Sequence, residues 1–145
     1  MKEFEKYEMF DLILLKAKLT GNSMLFTDLE RIPGFKAENY ENAHGFPLHH
    51  KYDNLVLWDW VTQKGIITLK NLLRSNLLSC WGCSPMLYDF EGVRMNMPLA
   101  KSIRNYKKPR WLPMAFGLTD EGEKYYEKND LFNIRRELHT KGLVL

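Results

Sequence analysis

Residues 55–99 read LVLWDWVTQKGIITLKNLLRSNLLSCWGCSPMLYDFEGVRMNMPL, and the fold turns on how this stretch divides into elements. From Gly65 onward, Ile66, Leu69, Leu73 and Leu77 recur at the three- and four-residue steps of one helix face, widened by Ile67 and Leu72. The opposite side carries Thr68, Asn71 and Ser75, flanked by Lys70 and Arg74, with no carboxylate among them. A face of that chemistry suits a polyanion. Gly82 and Pro85 then break the helical period. Beyond them Met86, Tyr88 and Phe90 alternate with Leu87 and Asp89, and after Glu91-Gly92 the residues Val93, Met95 and Met97 alternate with Arg94 and Asn96. This period of two predicts a β-hairpin closed by a tight turn, with Gly92 supplying the positive φ.

Upstream, Leu55, Val56, Leu57, Trp58 and Trp60 cluster in what reads as a short helix to Gln63, with Lys64-Gly65 the turn into the second helix. Glu3 to Leu19 predicts an amino-terminal helix ended by Gly21, its acids toward the positive end of the helix dipole and Lys16 and Lys18 toward the negative end. Because Leu12, Leu15 and Leu19 add to Phe10, Ile13, Leu14 and Ala17, this helix is apolar over more than one face. The expected second cover is another copy of the chain, hence a homodimer through this helix. Thr27-Asp28-Leu29-Glu30 matches a capping box, and Ile32-Pro33-Gly34 stops the helix it begins. Residues 35–53 carry no sustained period and read as a long loop.

Downstream of the predicted hairpin, Lys101, Arg104, Lys107, Lys108 and Arg110 form a run of five cations with no acid between them and with Tyr106 interleaved. Trp111 to Leu118 is an apolar run that Pro113 demotes to an edge strand. Thr119 or Asp120 caps a following helix bearing Tyr125 and Tyr126. Asp130 caps a last one bearing Leu131, Ile134 and Leu138, with Gly142 as its stop and an apolar Leu143-Val144-Leu145 after it.

Over 145 residues, 45% are apolar and 27% charged, the balance of one folded domain rather than a disordered chain. The net charge of +3 is unevenly spread: −2 over residues 1–50, +1 over 51–100 and +4 over 101–145. No apolar run is long enough to span a bilayer, and Lys2, Glu3 and Glu5 do not open a secretory signal, so the expectation is a cytoplasmic protein without membrane contact.

Two pieces resemble winged helix-turn-helix regulators. One is Gly65 to Leu78, with its leucine-bearing helix followed by a small turn and a hydrophobic step. The other is Phe116-Gly117-Leu118-Thr119-Asp120-Glu121-Gly122, similar to the Leu-Thr-x-x-Gly string that ends the wing strand and starts the next helix in PadR-like and MarR-like repressors. The roughly forty residues between the pieces exceed an ordinary wing, which makes this an elaborated member. The resemblance implies an α+β, winged helix-turn-helix-like fold, mainly helical with a small antiparallel hairpin or three-stranded sheet. Residues 1–50 would form a helical extension and loop, 51–129 the core and 130–145 a carboxy-terminal helix. It also implies a regulator contacting duplex DNA through Thr68, Lys70, Asn71, Arg74 and Ser75, with Arg94 on the wing. The cations Lys101, Arg104, Lys107, Lys108 and Arg110 add the phosphate contacts that DNA binding requires. The rival expectation is a protein-interaction module on the same scaffold.

Cys80-Trp81-Gly82-Cys83 has the gap of half a zinc site, but His44, adjacent His49 and His50, and His139 do not complete a ligand pattern, so two small buried cysteines at a helix end are expected and no metal. Asp53 and Asp59 lie near the His49-His50 pair in sequence, a combination more often found on surface loops than in acid/base catalysis. With no Gly-rich phosphate loop, nucleophile elbow or HExxH, neither an enzyme nor a cofactor is expected.

Overall fold

The computed structural model describes residues 7–143 and 145 of the chain. Its α+β architecture is built around α1 (Met9–Leu19), which packs against α2 (Phe26–Leu29), α3 (Gln63–Arg74), β5 (Met114–Leu118), α5 (Asp120–Lys128) and α6 (Leu131–Thr140). Met9, the run Leu12 to Leu15 and Ala17 are all buried. Of the three leucines that make α1 apolar over more than one face, Leu12 and Leu15 are thus covered from within one chain, while Leu19 is exposed. The predicted start at Glu3 lies outside the described residues, but Tyr7 and Glu8 are not helical: the helix starts at Met9, after Glu8 in extended conformation. The helix ends as expected: Gly21 takes φ +65°, its N–H bonds the Lys18 carbonyl at 3.1 Å and the Asn22 N–H bonds that of Ala17 at 2.9 Å. Lys16 is buried with its ammonium donating to the Leu145 carbonyl at 2.6 Å, and burial pulls its pKa down.

Two small sheets flank the helices. β3 (Leu78–Gly82) pairs antiparallel with β5, Leu78 opposite Leu118 and Gly82 opposite Met114, and Met24 adds an isolated bridge to Phe116 on the far edge of β5. The other sheet has the order β1 (His44–Pro47), β2 (Leu55–Val61), β4 (Arg110–Trp111), antiparallel and then parallel.

The predicted helix at Leu55 is therefore a strand. A short apolar run is ambiguous by period alone, and the aromatic and β-branched content of LVLWDWV, paired on both sides, favours extended backbone. The alternation is interrupted at Asp59-Trp60, where an extra residue on β2 opposes β1 and Trp60 sits at φ +57°, returning Val61 to the interior. Residues 35–53 are not wholly loop either, since they hold a 3₁₀ turn (Tyr40–Asn42) and β1.

The predicted hairpin over Met86 to Met97 is not formed. Met86–Phe90 is a helical turn, α4, and residues 93–97 belong to no strand. Ser84-Pro85 starts the turn, with the Ser84 hydroxyl accepting from the Met86 N–H at 3.2 Å and Pro85 already helical at φ −61°. Gly92 does take a positive φ, +74°, but it ends α4: its N–H bonds the Asp89 carbonyl at 2.9 Å and the Val93 N–H that of Tyr88 at 3.2 Å. Positive φ serves a helix stop as well as a hairpin turn, and the sequence does not distinguish the two. The run Trp111 to Leu118 is divided by Leu112-Pro113 between two sheets, with the Pro113 carbonyl accepting from the Cys83 N–H at 3.0 Å.

Two caps also shift. The Thr27 hydroxyl caps nothing; α2 begins two residues earlier, after Leu25, with Asp28 Oδ2 accepting from the Leu25 N–H at 2.8 Å. Asp130 precedes α6 at φ +49° without a side-chain cap bond. Thr119 caps α5 as read, its Oγ accepting from the Gly122 N–H at 3.0 Å.

The core joins the layers through aromatic rings. Phe26 lies parallel to Trp58 at 5.6 Å and meets Phe116 edge-on at 5.1 Å, while Tyr88 contacts Trp58 and Trp111, each at 5.2 Å. Among the described residues no helix is long and apolar enough to cross a membrane.

Candidate functional site

The side of α3 away from the core is the first candidate surface. Thr62 caps the helix, its hydroxyl accepting from the Gly65 N–H at 3.0 Å, and Asn76 ends it at φ +60°. Ile66, Leu69 and Leu72 face inward; Lys64, Ile67, Asn71, Arg74 and Ser75 are exposed, and Thr68, Lys70 and Leu73 half-buried. Of the residues picked out from the sequence, Asn71 and Arg74 thus lie on the outward side, while the Ser75 hydroxyl donates back to the Leu72 carbonyl at 3.2 Å. Thr68 is turned back on the helix, donating to the Lys64 carbonyl at 2.7 Å. Lys70 leans over the Phe46 ring, 5.9 Å from its centroid. Ile67, assigned to the buried stripe from its spacing, is 49% exposed and shares the outward strip with Lys64, which the helical period through Thr68 and Asn71 already marks.

The connection between β1 and β2 enlarges this surface, which sequence reasoning missed. His49 and His50 stack at 3.9 Å, both exposed, and Lys51 follows. Desolvation, then the charges of His50, Lys51 and Lys70, hold the His49 pKa below its ordinary value. The pairing of β1 with β2, invisible in the sequence, sets the Phe46 ring of this hairpin under Lys70 of α3.

The cationic loop before β4 reaches the same end of the sheet. β2 and β4 are parallel with Leu55 opposite Arg110, and Asn54 Nδ2 donates to the Tyr106 carbonyl at 2.8 Å. Lys101, Arg104, Lys107 and Lys108 are exposed and Arg110 half-buried. The Arg104 and Arg110 guanidinium groups lie 4.8 and 4.9 Å from the Tyr106 ring centre, and Arg110 also donates to the Leu99 carbonyl at 3.2 Å. The Tyr106 hydroxyl accepts from the N–H groups of Lys101 and Ser102, each at 3.1 Å.

For that phenol, desolvation opposes ionisation, but the hydrogen bonds of Ser102, Arg104 and Lys101 outweigh it and pull the pKa down to about 8. A folded pKa below the unfolded value means that the loop gains stability as pH rises through about 8 and loses it as pH falls back. One tyrosine is expected to ionise near pH 8, read as phenolate absorbance, and Tyr106→Phe should remove that step alone.

Arg94 lies elsewhere. With no hairpin to carry it, its guanidinium sits 3.6 Å from Asp89 and 5.6 Å over the Trp111 ring. Cys80 and Cys83 are not buried at a helix end as expected: Cys80 is exposed in strand β3 and Cys83 half-buried just past it, because the chain after Leu78 pairs with β5. Both are free thiols whose pKa values desolvation raises, and among the described residues no three His, Cys, Asp or Glu side chains gather as a metal set. Comparison with known proteins found no family model, no curated protein and no solved structure that matches this chain.

The string Phe116 to Gly122 has a local physical reason. A Cβ at Gly117 would lie 2.7 Å from the Asn22 carbonyl oxygen, and one at Gly122 would overlap the Leu77 carbonyl. Thr119 also donates through its hydroxyl to the Asn76 carbonyl. These contacts lock the end of β5 and the start of α5 onto the turn that leaves α3, fixing how α3 and the β3–β5 ribbon stand together.

Proposed function

We propose that this chain is a DNA-binding protein of winged helix-turn-helix type, a transcriptional regulator in which α3 enters the major groove and the basic segments hold the phosphates. The observation that carries the reading is the order of parts. A helix with buried leucines and outward Lys64, Asn71 and Arg74 is followed at once by the antiparallel ribbon β3–β5, with Met24 bridged to its far edge and Thr119 starting the next helix. Residues 83–113 stand where a wing would be and add α4, β4 and the cationic loop. Amide and guanidinium groups suit base edges; the lysines of residues 101–108 and the histidine-bearing turn suit phosphates.

The exposed Met86 and Phe90 on α4, 60% and 81% accessible, favour a second reading, a protein-binding module. Salt titration of binding to random duplex DNA separates the two. DNA binding predicts affinity falling steeply with salt; protein recognition predicts no DNA binding at any salt. Lys101→Ala, Lys107→Ala and Lys108→Ala together should lower the salt slope by roughly 2 to 3 and weaken all sequences alike. Asn71→Ala and Arg74→Ala should instead erase sequence preference, each removing about 1–3 kcal/mol of discrimination. Arg110 is a poor choice for that test, because its removal would disturb the loop itself.

A further inference from the structure

We propose that the cleft between the end of β2 and residues 93–97 binds an organic cation with an apolar body. The inference does not rest on DNA binding. The cavity measures about 590 Å³, within the usual range for a small-molecule site. It is lined by Trp58 and Trp60, by Met95 and Met97, and by the carboxylates Glu30, Glu38 and Asp59.

Trp60 is the unusual member. A bulky residue at φ +57° is strained, and burial of its ring does not offset that strain, since Trp60 is 40% exposed. The strain holds an indole at the mouth of the cleft, anchored by the Trp60 N–H donating to Asp59 Oδ1 at 2.7 Å and by its carbonyl accepting from the Ala37 N–H at 2.9 Å. Tyr40, 84% exposed, meets the Trp60 ring edge-on at 6.4 Å and extends the aromatic surface. Trp58, nearly buried, forms the floor and orients Glu30, its indole N–H donating to Glu30 Oε2 at 3.2 Å.

The charge balance selects the ligand's sign. Two lining cations, Lys36 and Arg94, face three carboxylates, and Arg94 is already engaged by Asp89 and the Trp111 ring. The exposed Trp60 indole and the carboxylates favour a cation whose hydration is weak, such as an alkylated or arylated onium, and methionine side chains adapt to its shape. The chain as a whole is net positive at +3, so any preference for a cation must come from this site rather than from long-range attraction.

The test compares tetraphenylphosphonium with tetraphenylborate, ions of the same shape and opposite charge, by tryptophan fluorescence and by calorimetry on the full chain. The expected result is saturable binding of the phosphonium and at least tenfold weaker binding of the borate. Glu38→Gln with Asp59→Asn should weaken the phosphonium tenfold or more. Trp60→Ala, followed calorimetrically, should abolish binding, and Trp60→Tyr should retain part of it, circular dichroism verifying that each variant folds. Absence of saturation, equal or tighter binding of the borate, or indifference to the carboxylate changes would overturn the proposal.

Discussion

Gly122→Ala is expected to destabilise the protein by about 3 kcal/mol, at the upper end of what overpacking a tight contact costs. The reason lies in backbone rather than in side chains. Gly122 is in the first turn of α5 with its Cα against the Leu77 carbonyl, and an added methyl group would occupy that oxygen's place. Neither partner can swing away, because Leu77 accepts from the Thr119 N–H at 3.2 Å and Thr119 is the cap of the same helix. Relief requires α5 to lift from the turn after α3, which loosens the junction between α3 and the ribbon. Gly82→Ala is the control: no atom lies within 4 Å of its Cβ position and its φ is ordinary, so a change within about 0.5 kcal/mol is expected. Chemical denaturation of the two variants decides the matter, and equal midpoints would mean that α5 does not sit on Leu77.

Tyr88→Phe is expected to cost about 2–4 kcal/mol, because it keeps the ring and deletes only the hydroxyl. That oxygen donates to the Met114 carbonyl at 2.7 Å and accepts from the Phe26 N–H at 3.1 Å, joining α4, β5 and α2 at a fully buried point. Phenylalanine leaves the Phe26 N–H, the first amide of α2, without that acceptor and away from water. Burial, the largest influence, raises the Tyr88 pKa well above 10.0. Its contribution is therefore complete below pH 10.0 and is lost as pH climbs past that value, because the unfolded chain releases this proton first. The variant should show a smaller alkaline loss of stability than the parent chain. A residual alkaline loss remains, because burial and then the hydrogen bond to Asp11 push Tyr125 up to about 12. A Tyr88→Phe protein as stable as the parent would remove this hydroxyl from the structure's essential contacts.

What could be read from sequence were the features that one element carries within itself. The buried face of α3 follows from leucines at helical spacing, and the ends of α1 and α6 follow from Gly21 and Gly142, which take φ +65° and +71°. The cap at Thr119 follows from a hydroxyl three residues before the amide it accepts from. The outward Asn71 and Arg74 follow from the same helical period. Ile67 does not: its spacing predicts a place on the buried stripe, yet it lies beside Lys64 on the exposed strip, because the width of a buried face depends on what packs against it.

The misread elements share one cause. Leu55–Val61 is short and apolar, a pattern that either a helix or a strand can satisfy, and it is extended because β1 and β4 supply partners for its backbone. Met86–Phe90 alternates by composition, yet Ser84-Pro85 and the Tyr88 hydroxyl bonds place it in a helical turn. The cover of α1, the meeting of Lys70 with the Phe46 ring of β1, and the cleft under Trp60 join residues far apart along the chain. Local spacing sets which face of a helix is apolar and where the helix stops, since those energies act within a few residues. Which strand finds a partner, and which charges share a surface, were decided by the tertiary structure alone, because backbone hydrogen bonds and buried area between distant segments exist only after the chain has closed on itself.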